Sequence, residues 1–399
     1  MHGTDEQTKE ANNEKESSHN KKIADELKDK FPERSNLIDG TLTALLAQEH
    51  VLMLGPPGTA KSLFARRVAE ATAEGSFFDV LLTKFTTVEE VYGPISFSLL
   101  KQDKYQRMLD GYAATKRIWF FDEIFKASSA ILNCNLTAMN ERQFHNGGSP
   151  EDIPLEMLIG ASNEYPQDDS LKALFDRFTF KYWVDYISDR DQMAKLLAAG
   201  GVEEMKTVLN EGELEELRAI VKNVKFENGT IDTLLNIKAS VEEEGFIVSD
   251  RIWVKAVKII KARAVFKGRD NVISTDFMVL ADMLWKEHKD RDRLNTIIGN
   301  AADPYGSRAI AIIDAVKTAM RDLPDISVLK SGQKTKVEFL KAITEVNGQI
   351  ASRRDAILDA ESECKENNDS ITEAKEVVSA AVEQVDKLMK EVMFYREKK

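Results

Sequence analysis

The stretch Gly55-Pro56-Pro57-Gly58-Thr59-Ala60-Lys61-Ser62 gathers two glycines, a lysine and a hydroxyl into one short loop. That combination suits anion capture. Successive backbone N–H groups from Gly58 to Ser62 turn inward on a β-phosphate, Lys61 bridges the outer phosphates, and Ser62 offers its hydroxyl to Mg²⁺. The usual pattern has glycine directly before the lysine, whereas Ala60 stands here. A methyl group at that place is expected only with negative φ. Taken alone, the loop also fits a plain glycine turn between a strand and a helix.

A second constellation removes much of that ambiguity. The apolar run Ile118-Trp119-Phe120-Phe121 ends in Asp122-Glu123, and an α/β sheet presents its ligands at the carboxyl ends of its strands. Asp122 is expected to hold Mg²⁺ through water. Glu123 is then placed to polarise a water in line with a γ-phosphate; its alternative is an ordinary acid opening a helix. Together the two stretches imply ATP and Mg²⁺ as ligands and ATP hydrolysis as the reaction.

These residues need elements to hold them. Val51–Leu54 reads as a buried strand running into the loop, and 63–73 has helical spacing. Further strands are expected at 80–85, 118–121 and 155–161. Before the loop, Ile23, Leu27 and Phe31 share one helical face, and 37–47 form a second short helix. Alternating strands and helices imply an α/β fold with a parallel sheet. After Tyr186 the strand pattern stops. Ser249-Asp250 caps a helix over 251–266 closed by Gly268, and Ser274-Thr275-Asp276 caps another over 277–285, so an all-helical domain follows. A helix over 308–323 ends at Pro324. Beyond it, Leu340, Ile343, Ile350 and Ile357 form a weak stripe, and Ile371, Ala374, Val378, Ala381, Val385, Leu388, Val392 and Tyr395 a continuous heptad stripe. The expected domains are a disordered tail over 1–20, a nucleotide-binding core over 21–187, a helical lid over 188–294, and a helical hairpin or triple-helical extension over 295–399.

With 399 residues, 43% of them hydrophobic, the chain is long enough for two or three domains. Its formal charge of -12 disfavours nucleic acid as a partner, although a local basic strip inside an oligomer stays open. Cys134 and Cys364 form no C-x-x-C pair, which suits a reducing compartment. No apolar run reaches the roughly 18 residues of a membrane span, and a cytoplasmic location is expected.

The sequence resembles the MoxR branch of AAA+ ATPases, and within it the RavA type. The resemblance covers about 34–285. It is carried by the loop 55–62, Phe85-Thr86-Thr87-Val88-Glu89-Glu90-Val91-Tyr92-Gly93-Pro94, Phe121-Asp122-Glu123-Ile124, Asn140-Glu141-Arg142-Gln143-Phe144 and Ala161-Ser162-Asn163-Glu164. Ala-Lys is common in this family's loop, so Ala60 supports the resemblance. By the same resemblance Asn163 is the sensor 1 amide, facing the γ-phosphate or the lytic water; it also reads as a turn asparagine. Arg177 is the arginine finger, offered across a subunit boundary, with an intramolecular pair to Asp176 as the alternative. Arg251 is sensor 2, reaching the nucleotide in cis, or else a solvated first-turn arginine. The segment 91–115 corresponds to a helix 2 insert and 143–154 to a hairpin lining a central pore; either also fits passive surface. Arg34 is a candidate for base recognition.

The resemblance further implies a hexameric ring with ATP between subunits, chaperone-like remodelling of protein, and a von Willebrand factor A (vWA) domain protein as adaptor or client. The RavA type has a β-rich insertion in its triple-helical region, for which 295–399 show no pattern. A nucleotide-gated scaffold with slow turnover and a helicase-clade nucleic-acid motor are the readings from other classes.

Overall fold

The computed structural model describes residues 19–73, 75–226, 228–330, 335–364 and 369–394. Of the tail expected over 1–20, residues 1–18 lie outside the described residues, as does Tyr395 of the heptad stripe, while 19 and 20 are helical in place of the disorder expected. The chain divides into two compact units, one up to Asn295 and one from Thr296.

The first unit is built on seven strands: β1 (Val51–Leu54), β2 (Phe77–Leu81), β3 (Ile118–Asp122), β4 (Gln143–Asn146), β5 (Ser149–Asp152), β6 (Met157–Ser162) and β7 (Phe180–Trp183). Five form one parallel sheet in the order β2-β3-β6-β1-β7, while β4 and β5 pair as a separate antiparallel hairpin. Every residue of β1 and β6 is buried, as a strand covered on both faces requires. Register sets Leu54 beside Ser162 on one side and Trp183 on the other. Leu81 lies beside Asp122. The carboxyl ends of the strands therefore finish close to level, and the crevice over β1, where strand order reverses, receives the loop 55–62.

Two strands sit differently from the sequence reading. The second is Phe77–Leu81 in place of 80–85, because Thr83 and Thr86 close a turn: the Thr83 N–H donates to Thr86 Oγ1 at 2.9 Å, and Phe85 stands almost wholly in solvent. The strand expected over 155–161 runs from Met157 to Ser162. β7 escaped the sequence reading altogether, since Lys181 interrupts its apolar run and yet is buried.

Residues 19–30 are helical, and the next helix is Ser35–Leu46. Beyond β7 the described residues hold helices and one isolated bridge, Lys225 to Asn271. The helix Asp250–Phe266 packs its apolar face on Ser35–Leu46 and on Glu211–Asn223. The helix expected over 277–285 is instead a 3-10 stretch, Ser274–Leu280, followed by the short helix Ala281–Leu284.

In the second unit three helices, Pro304–Arg321, Lys336–Glu363 and Asp369–Phe394, pack against one another. Ile312, Val316, Phe339, Ile343, Ile350, Val378 and Val385 form their shared core. The first helix starts earlier than expected because Asp303 caps it, its carboxylate accepting from Gly306 N–H at 2.8 Å with Pro304 in the first turn. No helix among the described residues is long and apolar enough to cross a membrane.

Candidate active site

The loop 55–62 is pinned between two strand ends. Gly55 N–H donates to Ser162 O at 3.2 Å, and Val184 N–H donates to Leu54 O at 2.7 Å. Glycine is required at 55: a Cβ there would stand 2.2 Å from Val184 O, and φ is +141°. The expectation for Ala60 is overturned, because its φ is +63°, in the left-handed region. The chain must reverse within one residue to aim the helix Lys61–Thr72 at the loop, and Ala60 accepts that strain as the helix N-cap.

Lys61 is 7% exposed. Its ammonium donates to Gly55 O and Pro56 O, both at 2.8 Å, and to Asn163 Oδ1 at 3.1 Å. Burial pulls its pKa below the usual lysine value, opposed by the charges of Asp122 and Glu123. Asn163 in turn donates from Nδ2 to Glu123 Oε1 at 2.7 Å. A continuous path therefore joins the phosphate-loop lysine, the amide after β6 and the carboxylate after β3. Glu123 takes a left-handed backbone, φ +53°, to turn back on the loop. Its second oxygen, Oε2, is buried without a hydrogen-bond partner, 3.3 Å from the Lys126 ammonium. Ser62 Oγ donates to Asp122 Oδ2 at 3.1 Å, while Asp122 Oδ1 accepts from Glu123 N–H at 3.0 Å.

The residues fit a nucleotide phosphate and a hard cation. Nothing stands within 4 Å of where a Cβ on Gly58 would lie, so the cradle is open, and the first N–H groups of the helix Lys61–Thr72 have no partner within that helix. One carboxylate and one hydroxyl facing each other suit Mg²⁺, which takes its remaining ligands from phosphate and water.

Other expected residues are not brought to this cluster. Arg34 lies beside the end of β7, its guanidinium donating to Asp185 O and to Glu33 O at 3.3 Å. Arg177 is half-buried; Nη1 donates to Ala173 O at 3.0 Å, Nε is buried without a partner, and no ion pair to Asp176 forms. Arg251 is exposed and makes no contact with the loop 55–62 among the described hydrogen bonds and ion pairs. Its neighbours Ser249 and Ile252 instead line a cavity shared with Asp176.

The structure also adds residues. Tyr186, a boundary marker in the sequence, donates its hydroxyl to Pro57 O at 3.2 Å. Glu33 accepts from Ser188 N–H and Asp189 N–H, at 3.0 and 2.7 Å, clamping the segment after β7. No motif marked either residue; pairing across the fold made them visible. The segment 91–115 and the hairpin β4–β5 meet: Arg107 N–H donates to Asn146 Oδ1 at 2.7 Å, and Tyr92 stacks on Phe144 at 4.6 Å. Phe97, Tyr105 and Met108 remain exposed on that segment.

Comparison with known proteins agrees with this geometry. Residues 18–222 match the model of the MoxR domain in MoxR-vWA-beta-propeller ternary systems, and 229–298 match an AAA lid domain. An uncharacterized protein of Methanocaldococcus jannaschii, MJ0812, is 34% identical over 87% of this chain and 92% of its own. Chaperone MoxR1 of Mycobacterium tuberculosis is 24% identical over 63% of this chain and 70% of its own. A crystal structure from Cytophaga hutchinsonii, provisionally named as an ATPase, superimposes with a TM-score of 0.60 at 18% identity, covering 74% of this chain and 98% of that one. The matched domain, spanning more than half of the chain and carrying the loop, the paired carboxylates and Asn163, shows that this chain belongs to the MoxR family of AAA+ ATPases.

Proposed function

We propose that the chain is a Mg²⁺-dependent, RavA-like MoxR ATPase that assembles into a ring, no smaller unit completing its site, and remodels protein in a chaperone-like manner. The carrying observation is the hydrogen-bonded path Lys61–Asn163–Glu123, which sets a cation, an amide and a carboxylate around one open phosphate cradle. Mg²⁺ held by Ser62 and Asp122 would neutralise charge gathering on the phosphates. Lys61 and the N–H groups of 58–62 orient the phosphate chain. Glu123 orients and accepts a proton from the attacking water, and Asn163 fixes the carboxylate for that task.

Arg177 completes no contact with its own loop, which supports an arginine offered to a neighbouring subunit and hence a ring with ATP at each boundary. The exposed apolar side chains of 97–108, seated on the hairpin β4–β5, supply a surface for a client. The name of the matching domain model supports a vWA protein as partner. The three-helix unit supports the RavA-like assignment, while the lack of any strand among its described residues departs from the RavA type, whose triple-helical region carries a β-rich insertion. Glu123 is held by Asn163 and lies beside Lys126, and that restraint favours a second reading, a nucleotide-gated scaffold with slow turnover.

Phosphate release by purified protein separates the two. Glu123→Gln is expected to keep ATP affinity and to lose turnover by about 100-fold or more. Equal release from both proteins would leave the scaffold reading standing and remove the enzyme reading.

A further inference from the structure

Lys181 is a buried cation within β7, the edge strand of the parallel sheet. Phe180 and Tyr182 stack together on one face of β7, and Tyr182 reaches Gly40 of the helix Ser35–Leu46. The alternate residues, Lys181 and Trp183, face the last part of the lid: Trp183 stacks on His288 at 4.2 Å. Lys181 is 5% exposed and forms no ion pair among the described residues. Its ammonium donates to Met283 O at 2.8 Å and, more weakly, to Phe178 O at 3.4 Å, and lies 5.2 Å from the centre of the Phe175 ring. The Trp285 indole N–H donates to Lys181 O at 3.1 Å, and its ring meets Phe175 edge-on at 6.4 Å.

Burying an ammonium without a carboxylate costs several kcal/mol, and an apolar side chain of the same length would fill the site more cheaply. What the lysine supplies is a bridge between two backbone stretches. Phe175 and Phe178 bracket Arg177, while Met283 and Trp285 belong to the region matched as the lid, 229–298. A cavity of about 230 Å³, lined by Asp176, Lys181, Ser249, Ile252, Met283 and Trp285, borders this contact.

We propose that Lys181 is a positioning residue for Arg177: by tying the Arg177-bearing turn to the Met283–Trp285 segment it sets where the guanidinium is presented to a neighbouring subunit. This rests on the reading of Arg177 as a finger acting in trans. Burial lowers the Lys181 pKa to about 8, with Asp176 raising it and Lys286 and Lys255 lowering it, so the ammonium is charged at neutral pH.

The test mixes variants of the full chain and follows phosphate release and ATP binding. Lys61→Ala lacks a working nucleotide site but keeps its finger, and Arg177→Ala has the converse defect. Their mixture should regain turnover that neither shows alone; if it does not, the trans reading fails whatever Lys181 does. Lys181→Met should bind ATP with unchanged affinity and KM while kcat falls about 10- to 100-fold, the scale of a misplaced catalytic group. It should regain turnover when mixed with Lys61→Ala and not when mixed with Arg177→Ala. Wild-type turnover by Lys181→Met, or rescue by Arg177→Ala, overturns the proposal. If Lys181→Met does not fold, Trp285→Phe decides: it keeps a ring in the core but loses the donor to Lys181 O. The same rescue pattern is expected, and wild-type turnover overturns the proposal.

Discussion

Ala60 and Glu123 both carry left-handed backbone without being glycine, and both face the phosphate cradle. Each such residue costs on the order of 1 kcal/mol, a strain that persists where the surroundings hold it. At Ala60 the strain sits between the pinned Gly55 and the first turn of the helix Lys61–Thr72, so folding of the core supplies the restraint. Ala60→Gly is expected to raise stability by about 0.5–1 kcal/mol, read as a higher urea midpoint of the nucleotide-free protein. A lower midpoint would show that the bend is not strained. Gly55 has no such latitude, because the atom in its way is the Val184 carbonyl, part of a strand end that cannot move aside.

At the scale of elements, the hairpin β4–β5 and the segment 91–115 behave as one feature. Asn146, 5% exposed, accepts from Arg107 N–H, and its turn partner Gly147 has φ +75°. A Cβ on Gly147 would stand 1.6 Å from Tyr105 O. Gly147→Ala should therefore separate the two segments at a cost of about 1–3 kcal/mol, seen as faster protease cleavage within 97–108 while ATP affinity is unchanged. Cleavage at the wild-type rate would mean that the contact does not hold the insert.

For the molecule as a whole, the amino ends of the sheet strands rest on buried polar groups. Arg117 and Arg218 share Glu156, at 2.7 and 3.2 Å. His50 Nδ1 accepts from Leu158 N–H at 2.9 Å, and Nε2 lies 2.7 Å from the Arg142 guanidinium and 3.1 Å from Met139 O. Burial, reinforced by the Arg142 and Lys255 charges, holds the His50 pKa well below 6.5. The folded ring stays neutral where an unfolded one takes up a proton, so stability is full above about pH 6.5 and falls as pH drops below it. The limiting slope is about 1.4 kcal/mol per pH unit. Urea midpoints at pH 7.5 and 5.5 should show this fall, and His50→Asn, less stable at neutral pH, should show a shallower one. An identical slope in both would place the acid sensitivity elsewhere.

Local chemistry explains how much of this was legible in the sequence. A phosphate loop is contiguous, so Gly55 to Ser62, its flanking strand and its helix could be read from neighbouring residues. The pair Asp122-Glu123 was equally visible because an apolar run delivers it, and heptad spacing marked the helices of the last unit. Contacts that join distant segments left no such trace. Asn163 was named by the resemblance, but its bonds to Lys61 and Glu123 were not, and Glu33 and Tyr186 appeared only through the segment after β7. β7 stayed hidden because a lysine in an apolar run looks exposed until its carbonyl partners are known. The sequence by itself pointed to the phosphate loop and to the helical character of the C-terminal half, since each rests on local spacing. Only the tertiary structure decided the left-handed Ala60 and the buried tie at Lys181, because backbone strain and desolvation depend on which segments the fold brings together.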